Sequence, residues 1–255
     1  MTDMLTSLTA GTWLLALAIA ALGGVVKGMV GFAMPMILVS GLGMFIAPEL
    51  ALAGLIMPTL VTNGMQAMRQ GPAAALASVG RFRVFLGVGL VTLLISAQLV
   101  RVLPVGALLA MIGGPITVFA ALQLAGWQPR FRNGPSRVWE VGIGGFAGFI
   151  GGMSGVWGPP TVAYLTALDT EKREQMRVQG GIYGLGAVAL AAAHIASGVL
   201  NARTIWFSLA LIPPAVLGMW LGGLVQDRID QGAFRRATLV VLLIAGLNIL
   251  RRALT

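Results

Sequence analysis

Lys27 has the clearest chemical consequence of any residue in the chain. It is one of only two lysines and the only charge between Gly11 and Ala47. A lysine deep in an apolar run costs several kcal/mol unless it is paired or wetted. Snorkelling to an interface would relieve that cost, but a place in the middle of the run argues against it. The carboxylates of comparable interest, Glu49 and Glu140, sit near the ends of their runs. An uncompensated cation in such a setting calls for an anion from outside the chain, that is, a small anionic substrate.

Lys27 also opens a stretch that returns. Gly28-Met29-Val30-Gly31-Phe32-Ala33-Met34-Pro35 is matched by Gly152-Met153-Ser154-Gly155-Val156-Trp157-Gly158-Pro159, with both glycines, the Met and the Pro in step. Glycine-rich breaks recurring in both halves of an apolar chain point to a transporter binding site. Gly28, Gly31, Gly152 and Gly155 can turn backbone N–H groups towards a cavity. A helix restarting after each break aims its positive end at the same place. Close helix packing is the competing use of such glycines. Ser154, standing where Val30 stands, either donates to the anion or bonds its own helix. Phe32 and Trp157 flank the breaks as candidate pocket walls, with plain packing as the alternative. Asn63, Gln66, Gln179 and Tyr183 are polar residues in the following runs, and serve either as liners or as interhelical glue.

The elements that must hold these residues are apolar helices. Hydrophobic residues make up 57% of the chain and charged residues 10%, where a soluble domain carries about 25% charged residues. Several apolar runs reach about 20 residues, enough to cross a bilayer. The expected fold is therefore an all-α polytopic membrane protein with the lipid bilayer as partner. The net charge of +9 sits in short loops between runs, which is juxtamembrane placement and not a nucleic-acid footprint. Cysteine is absent and His194 is the single histidine, so neither thiol chemistry nor a Cys- or His-built metal site is expected, and no cofactor is. The apolar N-terminal run lacks a basic segment before it, which speaks against a cleaved signal peptide.

The run 11–47 is too long for one straight crossing, about 55 Å as a single helix. Gly23, Gly24, Gly28, Gly31 and Pro35 in the first half, and Gly151, Gly152, Gly155, Pro159 and Pro160 in the second, are expected to break the two long runs into halves. Residues 1–127 form the first repeat, 128–139 a basic central loop, and 140–255 the second repeat. Further crossings are expected near 48–68, 84–100 and 104–126, then 178–198, 204–225 and 237–250. Segments 69–83, 169–177 and 226–236 read as charged loops.

If each broken run is one kinked crossing, the halves are parallel and the basic residues fall on both sides. If each is a hairpin, the halves are inverted. Basic residues at 69, 81, 83, 130, 132, 137, 172, 173, 177, 228, 235 and 236 then share one side, against 101, 203, 251 and 252 on the other. Positive residues gather on the cytoplasmic side, which favours the second plan: two inverted-topology repeats, each a Gly/Pro-broken helical hairpin followed by three transmembrane helices, with both termini outside.

The paired stretches 24–35 and 151–160 resemble the two signature stretches of the TauE/SafE sulfite exporter family, and the resemblance extends over essentially the whole chain. It implies a bacterial inner-membrane transporter that exports sulfite, sulfonates such as sulfoacetate, or related small organic anions; the charge distribution puts both termini in the periplasm, and the paired breaks lead to the expectation of alternating access at a midplane anion site. A homodimer is left open. Two departures fall at the expected pocket: Ala33, where the family often has glycine, and Trp157 before Gly158. A rival reading comes from Gly152-Met153-Ser154-Gly155 and Ala193-His194, which resemble pieces of rhomboid intramembrane proteases, with Ser154 as nucleophile and His194 as base. Against it stand the copy of the motif without Ser, the two prolines expected to break the following helix, and the place of His194 near a run end.

Overall fold

A computed structural model describes residues 8–68, 71–127, 136–168, 172–225 and 230–254 of the protein. These segments are helices joined by short connections. The first half runs α1 (Ala10–Val30), α2 (Met34–Leu42), α3 (Pro48–Met68), α4 (Pro72–Arg81), α5 (Arg83–Leu99) and α6 (Val105–Leu124). The second runs α7 (Arg137–Ser154), α8 (Gly158–Ala167), α9 (Lys172–Ala196), α10 (Thr204–Ala210), α11 (Ile212–Val225) and α12 (Gln231–Leu254). Five helical stretches among the described residues are long and apolar enough to cross a membrane: Ala10–Met29, Pro48–Met68, Val105–Leu124, Val178–Ala196 and Thr204–Leu224. Large apolar side chains such as Leu14, Val91, Ile95, Val188 and Trp220 face outward, as a surface bathed in hydrocarbon requires. The chain is a multi-pass membrane protein.

Both long runs break, at two of the expected glycines and not at the others. Gly24 lies inside α1 and Gly151 inside α7; neither interrupts its helix. The breaks fall at Gly31 (φ 81°) and Gly155 (φ 70°), which end α1 and α7 in the left-handed conformation that glycine adopts without steric cost. Their N–H groups return to Lys27 O and Gly151 O. Pro35 opens α2 and Pro159 and Pro160 lie in the first turn of α8, where a missing N–H costs nothing. The prolines therefore start helices instead of breaking them. The arms are unequal as a result: α1 is 21 residues and α2 only 9, about 31 Å against 14 Å.

Three other expectations need correction. Residues 72–81, read as loop, form α4; its Gly and Arg content masked a short amphipathic helix. The expected crossing 204–225 is two helices, α10 and α11, divided before Pro213 and Pro214. Helices α7, α9 and α12 begin at 137, 172 and 231, inside segments read as loops, because charged residues at a membrane edge stay helical while ending the apolar run. The remainder of those loops, 128–135, 169–171 and 226–229, and the arginines at 69, 130, 132 and 228, lie outside the described residues.

Packing repeats between the halves. α1 lies along α11, as α7 lies along α5; α3 meets α9, α6 meets α12, and α3 receives α10 as α9 receives α4. Glycines set the closest of these contacts. A Cβ on Gly24 or Gly28 would lie 2.1 or 2.2 Å from the carbonyl oxygens of Ala215 or Met219, and one on Gly148 or Gly152 would lie 2.0 or 2.3 Å from those of Gly89 or Leu93. These contacts advance together along both chains, so α1 and α11 are parallel, as are α5 and α7. By contrast, α3 and α9 run antiparallel: Asn63 reaches Tyr183 while Gly180 abuts Gln66 and Ala67. α6 and α12 are antiparallel too, with Gly106 against Ala253 and Gly113 against Gly246.

Inside α3, Pro58 cannot donate a backbone bond to Gly54. Ser208 of α10 compensates: its hydroxyl donates to Gly54 O at 3.3 Å and accepts from Met57 N at 3.0 Å. Backbone groups freed within hydrocarbon must find such partners.

Candidate anion-binding site

The two breaks meet at one small cavity. It is lined by Lys27 from the last turn of α1, by Phe32, Ala33, Pro35 and Met36 across the first break, and by Gly155, Val156, Trp157 and Gly158 across the second, with Asn63 of α3 and Tyr183 of α9. Lys27 is 2% exposed. Its ammonium donates to Asn63 Oδ1, and no carboxylate pairs with it among the described residues. Asn63 Nδ2 in turn donates to Tyr183 O at 3.2 Å. One neutral amide thus holds the charged head in place and ties α1 to both central helices. An amide oxygen does not neutralise an ammonium, so charge at this point is left for a ligand to balance.

Both restarting helices aim their N-termini at this cavity, which Ala33, Pro35 and Gly158 line. α2 has no side-chain cap, so its first N–H groups are available to an anion. Ala33 is the only non-glycine residue with positive φ among the described residues, at 77°. That conformation costs an alanine roughly 1–2 kcal/mol, and it accounts for the suitability of glycine there. Strain of this kind concentrates where a site dictates backbone shape. In the second half the matching position carries Trp157, in a different setting: its indole is sandwiched between Gly151 and Gly186.

Of the residues expected from sequence, Lys27, Phe32, Asn63, Gly155, Trp157 and Tyr183 come together around the cavity. Pro35, expected only as a break, lines it too, and Ala33, Met36, Val156 and Gly158 were not foreseen; their sole signal was proximity to the breaks. Gly28 and Gly152 pack against α11 and α5 instead of facing the cavity, and Gly31 serves as the cap of α1. Ser154 does not line it either: its hydroxyl donates to Ile150 O at 2.7 Å and accepts from Val156 N at 3.2 Å. Gln66 and Gln179 lie about one helical turn from Asn63 and Tyr183 along the α3–α9 seam. Both Gln66 amide atoms and Gln179 Oε1 are buried with no hydrogen-bond partner among the described residues.

The serine–histidine pairing receives no support. Ser154 is occupied by its own backbone, and His194 Nδ1 lies 3.3 Å from Ser197 Oγ. The proline objection to it does not hold, since Pro159 and Pro160 begin α8; the hydrogen bonds carry the case in its place.

Compared with known proteins, residues 16–249 match the family model described as Sulfite exporter TauE/SafE. No curated protein and no solved structure matches the chain.

Proposed function

Since the chain belongs to the sulfite exporter TauE/SafE family, a family of membrane transporters, we propose that it carries small sulfur-containing or related organic anions across the bacterial inner membrane. The observation that carries this reading is Lys27: a buried cation, held by a neutral amide, where two helix N-termini converge. Each component favours negative charge, and none depends on the others for its sign.

The cavity measures about 20 Å³, room for roughly one water. An oxyanion needs more space, so loading requires parts of the protein to move apart. We take this conformation as the occluded member of an alternating-access cycle, in which the site opens to one side and then the other. The antiparallel pairing of α3 with α9 and of α6 with α12 supports the inverted-repeat plan. Two kinked crossings would make both pairs parallel. In the inverted plan the basic loops are cytoplasmic and both termini periplasmic. An interior-negative potential then favours anion exit by about 2.3 kcal/mol per charge per 100 mV, which is sufficient drive for efflux without a coupled ion.

The test is sulfite counterflow in proteoliposomes, with sulfoacetate and acetate as competitors. Uptake of labelled sulfite driven by internal sulfite, reduced by sulfoacetate more than by acetate, is the expected result. Uptake no faster than in empty liposomes for every anion would overturn the reading.

A further inference from the structure

Beside the anion cavity lies a much larger one. A cleft of about 430 Å³ runs between α5, α7 and α9, and its walls are almost wholly apolar: Phe85, Leu90 and Leu93 on one side, Ala147 on another, Ile182 and Leu185 on the third. Among the described residues, Arg83 is the single charged side chain lining it. The cleft opens sideways, where Leu90, Leu185 and Val188 are each more than 40% exposed on the outer face. A cleft of this volume is the size of an organic ligand site, whereas the polar cavity next to it admits one water.

One side chain is common to the two linings. Trp157 lines both cavities. Trp157 is buried, and its indole lies between two glycines: a Cβ on Gly151 would stand 3.0 Å from it, and one on Gly186 3.2 Å. In the first half, the matching position is Ala33, and α10 packs against α3 with Phe207 buried there. Trp157 is thus a wall of the anion site with space for hydrocarbon on its other side.

We infer that the preferred substrate is an amphiphilic anion, its charged group on Lys27 and its hydrocarbon tail in the lateral cleft, with Trp157 as the movable partition. This rests on the anion-site reading above and narrows its substrate class. Charge complementarity selects the occupant: the cleft leads to a buried cation with no acidic partner among the described residues, which a neutral acyl chain would leave unmatched. The lateral mouth gives such a molecule a route from the bilayer.

The test uses protein in lipid nanodiscs, with displacement of labelled sulfite by n-alkyl-1-sulfonates of two to eight carbons, corrected for partition into empty nanodiscs. Potency should rise about threefold to fourfold for each methylene that enters the cleft. Leu185→Trp, which fills the cleft from an exposed position, should flatten that dependence and leave sulfite affinity as it was. Equal potency at every chain length, with sulfite still bound, would overturn the tail site and spare the anion site. Direct binding of labelled octane-1-sulfonate to Lys27→Gln as tight as to wild type, or a chain-length dependence that uncharged n-alkanols reproduce, would identify the cleft as an ordinary acyl site and also overturn the inference. Failure of every anion to bind would remove both readings together.

Discussion

At the scale of single residues, the candidate site depends on a charge that no carboxylate among the described residues balances. Lys27 was legible from sequence because a lone cation in an apolar run has few uses. Its holder, Asn63, was a candidate for the same reason: a polar side chain in hydrocarbon must bond to something. The strain at Ala33 was not legible, since φ cannot be read from a residue that tolerates most conformations. It makes a specific prediction. Ala33→Gly relieves the left-handed penalty and should raise stability by about 1 kcal/mol, measured as a higher unfolding midpoint in micelles. A lower midpoint would mean that the Ala33 methyl packing in the core outweighs the strain.

At the scale of elements, glycine does two separate jobs that look the same in sequence. Gly31 and Gly155 end helices; Gly24, Gly28, Gly148 and Gly152 let helices touch. Only the partner helix reveals which job a glycine has, so Gly24 and Gly151 read as breaks when they lie inside helices. Gly28→Ala would force a Cβ to 2.2 Å from Met219 O and should destabilise the α1–α11 pair by about 2–3 kcal/mol. A Cβ on Gly64 in α3 would meet nothing within 4 Å, and Gly64→Ala should be stabilising by up to about 1 kcal/mol. Thermal unfolding of the two variants side by side checks the distinction, which fails if both move the same way. The Pro58 gap in α3 gives a third case. Ser208→Ala leaves Gly54 O and Met57 N without their partner and should cost about 1–3 kcal/mol; an unchanged midpoint would show that other groups satisfy them.

At the scale of the whole molecule, the helical, multi-pass class was readable from hydropathy, and the two helix breaks from the duplicated glycine motif. The registers between helices were not, because contacts between distant segments leave no local signature, and Trp157 as a wall shared by two cavities could not be seen for that reason. Topology has a direct check, aided by the absence of native cysteine. Single cysteines at Ser136 and Asn201, both exposed, should fall on opposite sides of the membrane in the inverted plan and on the same side if each broken run is one kinked crossing. An impermeant thiol reagent added to intact cells should label Asn201→Cys and spare Ser136→Cys; equal labelling would contradict the inverted plan. The central claim remains that one buried lysine is the counter-charge for the transported anion. Its most direct test is calorimetric titration of sulfite into purified protein, wild type against Lys27→Gln, with circular dichroism to verify that both are folded. Loss of binding by 100-fold or more in a folded variant, about 2.7 kcal/mol, is the predicted result. Sulfite affinity unchanged by the substitution would contradict the account.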